Sequence, residues 1–205
     1  MQITTESGIA QADIDGSGAR FLLVLTHGAG GSVEAPDVLA VRDAGLLLGG
    51  MVARVTQPYR VRGARAPGPV VRQDAAWIEI VTALVDLTPG VPLVQGGRSN
   101  GARVACRTAA AVAARAVIAL AFPLHPPQRR PAGAGQTRPT RLAELHAARA
   151  GGAAVLVVTG ERDPFGIPGS GDADRVVVIP AETHGLKGHR EHVISAVAGW
   201  LPTVL

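Results

Sequence analysis

The sequence predicts an α/β fold, a mostly parallel sheet with helices on both faces. Three observations lead there. Short runs rich in Val, Leu and Ile alternate with longer alanine-rich segments along the 205 residues, as expected of buried strands joined by crossover helices. Apolar residues make up 47% of the chain but aromatics only 3%, so the core must be built from aliphatic side chains. No fixed-period repeat or linker interrupts the alternation, which predicts a single domain over residues 1–205.

The candidate strands are 21–26, 51–57, 92–95, 116–121, 153–159 and 175–179. Helical stretches fall at 35–47, 72–87, 101–114, 139–150 and 190–201. The first fifteen residues suit an antiparallel hairpin at the sheet edge, with Glu6-Ser7-Gly8 as its turn. The longest irregular piece, 122–138, is too short for a further domain.

Composition narrows the function classes. The net charge of +4 comes from twenty basic residues, all but one of them arginine, scattered among Ala, Gly and Pro. Their densest stretch, 128–141, lacks interleaved aromatics and reads as a solvated loop, so no nucleic-acid partner is expected. No apolar run approaches the roughly 18 residues of a membrane span, and the N-terminus has no basic, then apolar, export signal. The single cysteine, Cys106, forms no internal disulfide and fits a reducing compartment. A cytoplasmic protein without a membrane partner is the expectation. Cys106 itself reads as an inert core thiol.

In an open α/β sheet, ligands collect at the carboxyl ends of the parallel strands, so the residues after each strand carry the functional reading. After 21–26 comes His27-Gly28-Ala29-Gly30-Gly31, and after 92–95 comes a loop containing Gly97-Arg98-Ser99-Asn100-Gly101. The second is a G-x-S-x-G match between a strand and a helix. A nucleophile on such a tight turn adopts unfavourable backbone angles, and residues two before and two after it approach too closely for large side chains. After 153–159 comes Asp163, and after 175–179 comes His184. The order Ser99, Asp163, His184 supplies a nucleophile, an orienting acid and a general base, each beyond its own strand.

Each candidate has a rival. Glu161 competes with Asp163, but it sits nearer the strand, where a carboxylate more often pairs with an arginine. His189 and His192 open the last helix and read as surface residues, whereas His184 lies in a short loop. Backbone N–H groups for an oxyanion hole are expected from Asn100 and from Ala29 of the glycine loop, with Gly30 as the alternative donor and as a substrate-binding residue. Arg98 either clamps a substrate carboxylate or pairs with Glu161 or another acid to hold a loop. His125 either lines the substrate pocket or stiffens its rim with the neighbouring prolines. His27 reads as a brace for the glycine loop. No His/Cys/Asp cluster has metal-ligand spacing, and the glycine loop lacks the features of a phosphate or dinucleotide loop, so no metal or cofactor is expected.

Taken together, "THGAGG", "GGRSNGAR", "FPLHPP" and "GERDPFG" resemble the small, lid-less α/β-hydrolases related to dienelactone hydrolases. They lie closest to the group named after a testis-expressed hydrolase-like protein, which has many bacterial members. The resemblance covers the chain from about Phe21 to its end. Dienelactone hydrolases proper carry cysteine at the nucleophile; here it is Ser99. A second glycine often follows the elbow in the group, and Ala102 stands in its place. The resemblance implies a serine hydrolase of ester, thioester or similar acyl bonds. Relatives often insert a lid into the interval 122–152, which here holds one loop and one helix, so a small acyl substrate and an open site are expected. Two other readings stay open: a catalytically silent interaction module, and a triad enzyme of other chemistry such as an acyltransferase or cofactor-free haloperoxidase. The sequence leaves the oligomeric state open.

Overall fold

The computed structural model describes residues 1–17, 20–127 and 138–205. The chain runs through β1 (Gln2–Thr5), β2 (Gly8–Asp15), β3 (Leu22–Thr26), α1 (Pro36–Leu47), β4 (Met51–Thr56), α2 (Pro58–Val61) and α3 (Val70–Val85). It continues through β5 (Leu93–Arg98), α4 (Asn100–Thr108), β6 (Ala116–Leu120), α5 (Leu142–Ala150), β7 (Ala154–Gly160), β8 (Arg175–Ile179) and α6 (Arg190–Trp200), then a short 3-10 turn, Leu201–Thr203. The strands form one sheet in the order β1-β2-β4-β3-β5-β6-β7-β8. β1, β2 and β4 pair antiparallel, and every pairing from β4 onward is parallel.

Alternation along the central strands divides the core in two. Leu22 and Val24 of β3 face α3 and α4 with Trp77, Ile80, Leu84 and Val104. Leu23 and Leu25 face α1 and α6 with Val38, Val41, Val197 and Trp200. Both faces of β3, β5 and β6 are therefore buried, which is why these strands read as continuous apolar runs. The N-terminal hairpin closes through the two residues Glu6 and Ser7, with Thr5 opposite Gly8. Gly8 takes φ +112°, a conformation few other residues accept.

The main departures from expectation are two boundaries and one extra helix. β5 runs on to Arg98 rather than stopping at residue 95, because the glycines that look like a turn lie inside the ladder. A Cβ on Gly96 would fall 2.5 Å from the Ile118 carbonyl oxygen, so only glycine fits there. α4 ends at Thr108 and not at 114. The alanine tract continues in sequence, but Ala113 turns to φ 50° and Arg115 already donates to the Leu93 carbonyl at 2.8 Å to start the next strand. The one-turn helix α2 was not expected. The arginine-rich stretch read as a loop falls largely outside the described residues, which resume at Arg138. Among the described residues between β6 and β7, α5 is the sole helix, and no helix is long and apolar enough to cross a membrane.

Candidate active site

Ser99 follows the last residue of β5 and precedes the first turn of α4. Its φ of 52° and ψ of −108° put it in a region that costs a non-glycine residue on the order of 1–3 kcal/mol. The turn is forced by its neighbours. A Cβ on Gly97 would lie 2.7 Å from the Thr26 carbonyl oxygen and 2.8 Å from the Gly101 carbonyl carbon. One on Gly101 would lie 2.7 Å from the His27 carbonyl oxygen. Both glycines thus let the elbow press against the end of β3. Ala102 is fully buried beside them, where a small residue suffices. The Ser99 N–H donates to the Leu120 carbonyl at 2.8 Å, fixing the turn to β6.

The structure brings Ser99, Asp163 and His184 together. His184 Nε2 lies 3.0 Å from Ser99 Oγ, and Nδ1 lies 2.8 Å from Asp163 Oδ2. A carboxylate only accepts, so Nδ1 carries the proton and Nε2 is left to accept from the serine hydroxyl. Asp163 is buried. Its Oδ1 accepts the Phe165 N–H at 2.9 Å and its Oδ2 the Thr159 hydroxyl at 3.4 Å. The acid and base loops meet because Gly160 has no side chain: a Cβ there would collide with the Glu182 backbone. The Phe165 ring stands edge-on to the His184 ring, with centroids 4.6 Å apart.

The rivals settle elsewhere. Glu161 accepts the Ala181 N–H at 2.9 Å, a bond within the loops and away from the imidazole. His189 pairs with Glu182 at 3.0 Å, and its ring packs against that of His192. Burial pushes the Cys106 thiol up, out of its ordinary range, as an inert core thiol requires.

Gly28 lies under the elbow, a Cβ there being 3.4 Å from that of Ser99. Its carbonyl accepts from His27 Nδ1 and from the Gly31 N–H, both at 2.9 Å. Across the same trans peptide the Ala29 N–H points the opposite way, away from those inward partners. Gly30 takes φ +66°, with the Arg65 side chain packed over it. Arg60 holds the loop from outside by donating to the Gly31 carbonyl at 3.1 Å.

His27 is fully buried, and its Nε2 accepts the Gln57 N–H at 3.0 Å. Both ring nitrogens are spent on the backbone, so it braces the loop as a neutral imidazole. Burial lowers its pKa; the Gly28 carbonyl opposes this and the Arg60 charge adds to it. The unfolded chain therefore binds the proton more readily. His27 contributes stability that is complete above about pH 6.5 and lost as pH falls through that value, with a slope of at most about 1.4 kcal/mol per pH unit. Urea unfolding between pH 7.5 and 5 should show the decline, and His27→Gln should flatten it; an unchanged slope in the variant rules this out.

Arg98 is corrected as a substrate clamp. Its Nε lies 2.9 Å from Asp37 Oδ2, and its Nη2 donates to the His184 carbonyl at 2.8 Å. A bidentate clamp needs a free fork, and this one is committed inside the protein. Its acid is Asp37, not Glu161. His125 takes the bracing alternative: its N–H donates to the Phe165 carbonyl at 2.8 Å, its Nδ1 meets the Pro139 carbonyl at 2.9 Å, and its ring packs against Gly166. Sequence reasoning passed over Asp37, Phe165 and Gly160. Asp37 looks like an ordinary first-turn acid, and only the rarity of aromatics singles out Phe165.

A cleft of about 590 Å³ opens between the hairpin turn, α2 and α3, lined by Gln57, Tyr59, Arg62, Arg72 and Gln73 among others. None of the triad residues lines it. Among the described residues no group of three or more His, Cys, Asp and Glu side chains is placed to hold a metal ion.

Comparison with solved structures gives the same architecture. Est1E from Butyrivibrio proteoclasticus superposes with a TM-score of 0.78 at 17% identity, covering 99% of this chain and 97% of that one. XC6422 from Xanthomonas campestris, described as a serine hydrolase without lid, gives 0.71 at 19% identity over 98% and 94%. A dienelactone hydrolase from Anabaena variabilis gives 0.74 at 16% identity over 100% and 96%. No curated protein sequence matches the chain. The sequence model of the alpha/beta hydrolase domain matches residues 19–177. With that match over most of its length and the elbow seated at the end of β5, the chain belongs to the alpha/beta hydrolase family.

Proposed function

We propose that the protein is a serine hydrolase that cleaves an ester, thioester or related acyl bond of a small substrate through an acyl-enzyme. The observation that carries the reading is the continuous relay Ser99 Oγ, His184 Nε2, His184 Nδ1, Asp163 Oδ2, at 3.0 and 2.8 Å, on a serine held at positive φ. In the first half-reaction Ser99 Oγ attacks the acyl carbon and its proton passes to Nε2. The tetrahedral oxyanion sits against the Asn100 and Ala29 N–H groups, and its collapse expels the leaving group, which takes the proton from Nε2. Water then attacks the acyl-enzyme, gives its proton to Nε2 and releases the acid, and that proton returns to Ser99. Asp163 stays ionised and stabilises the imidazolium in both halves.

The similar structures support the substrate class. One of them is Est1E with ferulic acid bound, and another is a carboxylesterase of Nitrososphaera gargenis. The short span between β6 and β7 favours small or protruding substrates over long-chain lipids. A fluorophosphonate probe applied to the folded chain should label Ser99, located by peptide mass spectrometry. Labelling that is absent in the native state and fails to appear at any pH from 6 to 9 would overturn the proposal in favour of a silent interaction module.

A further inference from the structure

The Arg98 guanidinium touches three separate segments of the site. Its Nε faces Asp37 in the first turn of α1, its Nη2 holds the His184 carbonyl, and its Nη1 would lie 3.3 Å from a Cβ on Gly28. It leaves the chain one residue before the nucleophile. The glycine loop, the nucleophile elbow and the base loop therefore share one rigid, planar group.

The base loop needs such an anchor. Ala181 and Leu186 take φ 59° and 43°, and Thr183, Lys187 and Gly188 are exposed. The buried Leu186 side chain fixes one point of the loop. The Arg98 bond fixes a second, at the backbone of the base itself. A neutral donor could hold that carbonyl, so the charge calls for a separate account. An unbalanced cation beside the imidazole would oppose imidazolium formation. Asp37 supplies the balance: it is fully buried, its Oδ1 accepts the Val38 N–H at 3.0 Å, and its Oδ2 faces Arg98. The first turn of α1 favours a negative charge at that point.

We propose that the buried Asp37 and the half-buried Arg98 form a positioning pair that sets the His184 loop against Ser99 while presenting little net charge to the base. The proposal rests on the acyl-transfer reading of the triad. The other charged groups around His184 are Asp163 from the loop after β7 and, along its own loop, Lys187 and the Glu182–His189 pair. None of these bonds the His184 carbonyl.

The decisive variant is the double substitution Asp37→Asn with Arg98→Met, because Arg98→Met alone strands a buried carboxylate and endangers folding. The double variant should fold. Its kcat for p-nitrophenyl acetate should fall roughly 10- to 100-fold, the scale set by a base displaced by about 1 Å, with KM changed less than about twofold. Amide exchange over residues 181–189 should quicken about tenfold or more while that of β5 and β6 stays unchanged. Arg98→Lys should recover part of the rate. Asp37→Asn alone should keep the carbonyl bond but move the acid limb of the kcat/KM profile to lower pH, because the cation is then unbalanced. A folded double variant with wild-type kcat and wild-type exchange at 181–189, or one whose loss lies wholly in KM, overturns the proposal. The exchange readout needs no turnover, so the two readings separate. Loosening at 181–189 in a chain whose Ser99 neither labels nor turns over overturns the hydrolase reading and upholds the clamp.

Discussion

Ser99→Ala lowers kcat for p-nitrophenyl acetate by about 10⁴-fold or more and leaves the far-UV spectrum and melting temperature close to wild type. The size follows from the attack being lost altogether. Removing the nucleophile of such a triad leaves only oxyanion stabilisation and substrate binding, and a factor of 10⁴ corresponds to about 5 kcal/mol of activation free energy. The fold survives because the hydroxyl's bond is to His184 and not to the core, and because the Ser99 N–H, which ties the turn to Leu120, is kept. Alanine adopts the elbow's backbone angles no less easily than serine. Retention of more than about one hundredth of the wild-type rate would move the nucleophile elsewhere.

Gly101→Ala is expected to cost a large part of the stability, about 3 kcal/mol or more. Overpacking typically costs 1–3 kcal/mol. Here the obstacles are the His27 and Thr26 carbonyl oxygens at 2.7 and 2.8 Å and Thr26 Cγ2 at 2.9 Å. Those oxygens belong to the end of a central strand and cannot retreat without disturbing the β3 ladder. For a chain of this size the melting temperature should drop by roughly 6–12 °C. Gly199→Ala is the matched control. That glycine is exposed within α6 and a Cβ there meets nothing within 4 Å, so the change should stabilise by about 0.5–1 kcal/mol. Equal effects at the two positions, measured by thermal and urea unfolding, would refute the steric account.

Much of this was legible before any coordinates. Strands buried on both faces declare themselves by continuous aliphatic runs, so β3 and β6 fell within a residue of their expected ends; the half-exposed edge strand β8 was legible from its valine run alone. The elbow and the positions of Asp163 and His184 could be read because each follows such a run. What escaped depends on contacts between distant segments. Gly96 and Gly97 resemble a turn until the Ile118 and Thr26 carbonyls are seen pressing on them. The alanine tract after Thr108 has helix propensity throughout, and the pairing demands of β6 end the helix. Asp37 begins a helix after a proline, where a solvated acid is ordinary. Only the folded sheet places it beneath Arg98, 61 positions further along the chain.

In the proposed mechanism the base is carried by the loop that leaves β8, and β8 is the edge of the sheet, its one strand partner among the described residues being β7. Four of its five residues are at least partly exposed, whereas the strand that presents the nucleophile is flanked on both sides. Edge elements with few buried contacts open at lower free energy than the whole molecule. The nucleophile and its base therefore sit on parts of unequal tenacity. Fraying at that margin would separate His184 from Ser99 while the interior stayed intact, so the molecule can be disarmed well before it is unfolded.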